Sequence, residues 1–109
     1  MSQRTIDIIL QLAKEIDERR IWFKALINEI AEASVADRAD ILEEMMDLLD
    51  SLNMRMTTYG DFIEDLKKEI DHPSISNATR QACKEHFNVY ESLKMEIEGF
   101  EGFVMSAAN

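Results

Sequence analysis

The residues best equipped for chemistry in this chain are few. Cys83 and His86 stand three apart on a helical pattern, which brings a thiol near an imidazole, the pairing used by cysteine nucleophiles. Cys83, however, lies on an apolar stripe, where a thiol is usually inert. His86 shares that stripe and reads as a core histidine with a hydrogen-bond partner. Glu69 and His72 form one Glu-x-x-His pair, a unit that can hold a transition metal. A di-metal bundle needs two such pairs and two more glutamates; here the single pair abuts Pro73. No Ser/His/Asp set, glycine-rich phosphate loop or basic run interleaved with aromatics is present.

A denser acidic pattern lies earlier. Glu29-x-x-Glu32 is followed, after 11 residues, by Glu44-x-x-Asp47. With the local strings NEIAEA and ILEEMMDLLDSL, it resembles the ExxE…ExxD signature of the all-α, MazG-like nucleoside triphosphate pyrophosphohydrolases. The resemblance covers residues 26–52. It implies magnesium held by Glu29, Glu32, Glu44 and Asp47, orienting a triphosphate and an attacking water. The heptad phase, by contrast, puts both pairs on outward positions, and no cluster of Lys, Arg and Asn follows to hold phosphates. These two observations favour binding over catalysis, with no cofactor expected.

The elements that position these residues are read from apolar spacing. Leu42, Met45, Leu49, Leu52, Met56, Tyr59, Ile63, Leu66 and Ile70 follow one another in alternating steps of three and four. Only a long amphipathic helix puts them on one side. It begins at Asp37 as N-cap and ends near Asp71, because the residue before Pro73 avoids the helical region. Gly60, after Thr57 and Thr58, marks a point where it can bend. A first helix spans about Thr5 to Ala33 with Ile6, Ile9, Ala13, Ile16, Arg20, Phe23, Ile27 and Ile30 inward. Arg20 keeps its guanidinium in water while its stem packs. A third starts at Ser76 or Asn77 with Cys83, His86, Tyr90, Leu93, Ile97, Phe100 and Val104 inward, widened by Ala82, Phe87, Val89 and Phe103. Gly99 and Gly102 leave Phe100, Phe103 and Val104 to fold back as a plug, with 106–109 loose. Short links predict an all-α, antiparallel three-helix bundle of long helices in one domain, 1–109, open to assembly into a larger dimeric bundle.

Charge then sorts the partners. The net charge is −10, and residues 37–73 hold 4 basic and 11 acidic side chains. Nucleic acid and anionic lipid are repelled by such a field. A basic protein surface is attracted. Asp40, Glu43, Glu44, Asp47 and Asp50 make an acidic outer face, extended by Asp61, Glu64 and Asp65. Met46 and Met54 lie at its rim, where flexible thioethers suit an adaptable interface. Ile8, Leu12, Trp22 and Leu26 form a second apolar strip on helix 1, interrupted by a Glu15/Arg19 ion pair; either helix 3 or another chain covers it. One cysteine, no leader pattern and no long apolar run lead us to expect a cytoplasmic protein without a membrane anchor. The expected function is a non-enzymatic interaction module that binds a basic protein surface through Asp40, Glu43, Glu44, Asp47, Asp50 and Trp22, with self-association as a further use of the Trp22 strip.

Overall fold

The computed structural model describes residues 3–108. They form three helices, α1 (Gln3–Glu32), α2 (Val35–Ile70) and α3 (Asn77–Ala108), with no strand among the described residues. The 36 residues of α2 span about 54 Å at the α-helical rise, which sets the 59 Å length of the molecule. The result is a three-helix bundle.

The inward seam of α2 is as spaced: Met45, Leu49, Leu52, Met56, Tyr59, Ile63 and Leu66 are buried, joined by Ile41 and Leu48. α1 and α3 both lie along α2. Glu15 meets Arg55 and Arg19 meets Ser51. Asn53 meets Glu101 and Tyr59 meets His86. α1 and α3 touch through the stacked rings of Phe23 and Phe100, whose centroids are 4.2 Å apart. Above that stack, Glu96 accepts from Arg20 at 3.2 Å and pairs with Lys24 at 3.0 Å. Arg20 is therefore anchored, not simply snorkelling: Asp17 at 2.6 Å and Glu96 hold its guanidinium charged and raise its pKa further.

Four local expectations change. The N-cap of α2 is Ser34, not Asp37; the Ser34 hydroxyl accepts from the Asp37 amide at 3.3 Å. Serine satisfies an orphan donor of the first turn, and Asp37 sits within that turn, where the positive end of the helix dipole stabilises its charge. Arg19 does not pair with the Glu15 carboxylate. It donates to the Glu15 carbonyl and to Ser51, and that carboxylate turns instead to Arg55 across the helix interface. Phe100 and Val104 are buried on an unbroken α3 that runs through both glycines to Ala108, so no plug folds back and 106–108 are helical; Asn109 lies outside the described residues. Ala82 and Val89 stand exposed on α3 rather than widening its buried seam.

Gly60 continues the helix without a positive φ. Its role is close approach: a Cβ there would lie 2.9 Å from the Tyr90 hydroxyl oxygen. Tyr90 in turn tilts against Tyr59, centroids 5.7 Å apart.

Candidate acidic interaction face

Residues spaced three, four and seven apart share one side of a helix. Asp40, Glu43, Glu44 and Asp47 have this spacing, and Asp50 continues it. All five are exposed on α2. Among the described residues, ion pairs engage Glu15, Asp17, Glu64 and Glu96, and none engages these five. Arg55 gives the face no relief, because it is turned toward Glu15 and Ser51 on the α1 side. These five carboxylates are thus presented to solvent without an ion-pair partner among the described residues.

Apolar side chains are set into it. Met46 is 50% and Met54 is 71% exposed. Met54 falls one turn beyond Asp50 and two turns before Asp61, in the middle of the acidic back. Trp22, 51% exposed, is not covered by α3. The Arg19–Ser51 contact sets Trp22 at the height of Asp47 and Leu48 along the bundle. The expected apolar strip on α1 therefore divides: Leu12 and Leu26 are buried, whereas Ile8 and Trp22 remain open. Leu48, outside the α2 seam, is buried as well.

The four carboxylates of the pyrophosphohydrolase pattern come only partly together. Glu29, Glu32 and Glu44 border one open cleft at the α1–α2 turn, with Asp37 and Asp40. Asp47 is not part of its lining. No group of three carboxylate, histidine or cysteine side chains among the described residues lies close enough to hold a metal ion. The set as arranged does not fit a shared magnesium. His72 is engaged in the α2–α3 turn, where its Nδ1 lies 2.6 Å from the Ser74 hydroxyl.

The Cys83/His86 pair has a different setting from a catalytic dyad. Nδ1 of His86 lies 3.1 Å from the hydroxyl of Tyr59, a fully buried residue. Cys83 is 2% exposed. Burial first, then the charge of Glu69, pushes its thiol pKa up, away from the nucleophilic thiolate. The hydrogen-bond partner expected for His86 is thus Tyr59, and the α2–α3 register is what brings the two seam residues level.

No helix of the described chain is long and apolar enough to cross a membrane. Comparison with family models, curated proteins and solved structures finds no match to this chain.

Proposed function

We propose that this chain is a non-catalytic helical module that binds a basic protein surface through the outer face of α2 and Trp22. The observation that carries the reading is the set of five exposed carboxylates without a cation, Asp40, Glu43, Glu44, Asp47 and Asp50, with Met46, Met54 and Trp22 also exposed. Uncompensated charge speeds encounter and sets register, while flexible thioethers and an indole supply contact area. The partner is basic rather than a second copy, because two such faces repel each other. The same reading takes the helices as antiparallel neighbours, supported by the Glu15–Arg55 and Asn53–Glu101 contacts, and places the protein in the cytoplasm, supported by its single free cysteine.

The test is affinity capture with the native chain and with a variant carrying Asp40→Lys, Glu43→Lys, Asp47→Lys and Asp50→Lys. Partners held at about 0.05 M salt should be released near 0.5 M and absent from the variant, since screening shortens to a few ångströms over that range. A partner retained by the variant rules out the acidic face. Magnesium should leave the melting temperature of the native chain unchanged; a rise would favour the pyrophosphohydrolase reading, because a ligand bound only by the folded form stabilises it.

A further inference from the structure

A separate feature lies at the end of the bundle where α1 begins, α2 ends and α3 begins. A half-open cavity of about 390 Å³ is walled by Ile6, Ile9, Leu66, Ala82, Cys83 and His86. Its size falls within the range of small-molecule pockets, about 300–1,000 Å³. It exists because α3 carries small side chains here: Ala78, Thr79 and Ala82 leave the mouth unfilled.

The polar side chains in this wall are His86 and Thr79. Tyr59 is fully buried, and its hydroxyl shares a hydrogen bond with Nδ1 of His86. Nδ1 is thereby occupied, which leaves Nε2 as the ring nitrogen open to a ligand. His86 lines the cavity and Tyr59 does not. An apolar chamber whose polar side chains, His86 and Thr79, can each donate a hydrogen bond takes an apolar molecule with one acceptor. The chain's charge of −10 disfavours an anion there.

We infer that this cavity is a binding site for a small uncharged apolar molecule bearing one hydrogen-bond acceptor, such as an aromatic ketone, seated between Ile6, Leu66 and Ala82 with its oxygen at His86.

The probe is prodan, a neutral naphthyl ketone whose emission reports polarity. The native chain should bind it saturably, one per chain, with blue-shifted emission. Ala82 and Ala78 are exposed at the mouth, so Ala82→Leu and, separately, Ala78→Leu should fill the cavity without loss of helix by circular dichroism. Each should weaken binding at least tenfold. In competition, 2-acetylnaphthalene should displace prodan about fivefold better than 2-ethylnaphthalene, the worth of one net hydrogen bond. Naphthalene-2-carboxylate should displace it least. The inference is overturned by non-saturable binding, by equal binding to both folded filled variants, by equal competition from ketone and hydrocarbon, or by preference for the carboxylate.

Discussion

Gly60 offers a direct test of how α3 is seated on α2. Glycine inside a helix is worse than alanine by about 0.8–1.0 kcal/mol, so an exposed Gly→Ala change should stabilise by that amount. Here a new Cβ would meet the Tyr90 hydroxyl oxygen at 2.9 Å and its Cζ at 3.4 Å. The ring must move outward, and its tilted contact with Tyr59 at 5.7 Å loosens. Aromatic contacts of this kind contribute about 0.5–1.5 kcal/mol, enough to offset the gain in helix propensity. Gly60→Ala alone should therefore stabilise by no more than about 0.5 kcal/mol and destabilise by no more than about 0.7 kcal/mol. Tyr90→Phe removes the nearest atom and leaves only contacts of 3.4 and 3.5 Å. In that background Gly60→Ala should stabilise by nearly the full propensity difference. Urea denaturation of the four proteins closes the cycle, with an expected coupling of about 0.5–1 kcal/mol. A coupling near zero, with Gly60→Ala stabilising equally in both backgrounds, would refute the claim that Tyr90 requires this glycine.

Two further predictions concern the core and its protons. Phe23→Ala empties a fully buried site and removes the stack on Phe100; it should cost about 3–5 kcal/mol and lower the melting temperature by more than about 10 °C, and a drop below about 4 °C would contradict the packing described. Burial holds the Tyr59 hydroxyl above its ordinary value of 10.0, and burial with Glu69 holds the Cys83 thiol above 9.0. Groups raised in the fold stabilise it fully below their unfolded values, and that stabilisation is lost as pH climbs through the folded ones. Thermal scans should therefore show constant contributions from both up to about pH 8 and a decline above about pH 9 that Cys83→Ala makes shallower; an identical alkaline decline in both proteins would remove Cys83 as a cause.

The helices were legible because each seam repeats over many turns, and a long repeat leaves little freedom of phase. All seven α2 seam residues from Met45 to Leu66 are buried. What escaped the sequence depends on neighbouring helices. Leu12 and Leu26 read as a second strip with Ile8 and Trp22, yet only the first two are buried. Periodicity fixes which way a side chain points along its own helix, but the width of the buried stripe is set by the partner. Charge partners were missed for the same reason. Glu15 and Arg19 have the spacing of an intrahelical pair, and Arg55 and Ser51 on α2 compete for them more effectively. The α2 cap moved because Ser34 and Asp37 are both good capping residues, three positions apart, and short-range preference does not choose between them. At the candidate face, Asp40, Glu43, Glu44, Asp47 and Asp50 were readable as exposed from the seam alone. Their lack of cationic partners was not, since it required knowing that Arg55 turns toward α1.

The most direct measurement is a backbone NMR titration of the native chain with a lysine-rich amphipathic helical peptide. The interaction reading places the largest shifts at Asp40 to Asp50, Met54 and the Trp22 indole, all of them suppressed at about 0.5 M salt. Shifts confined to α3, or an unperturbed α2 face at low salt, would contradict it.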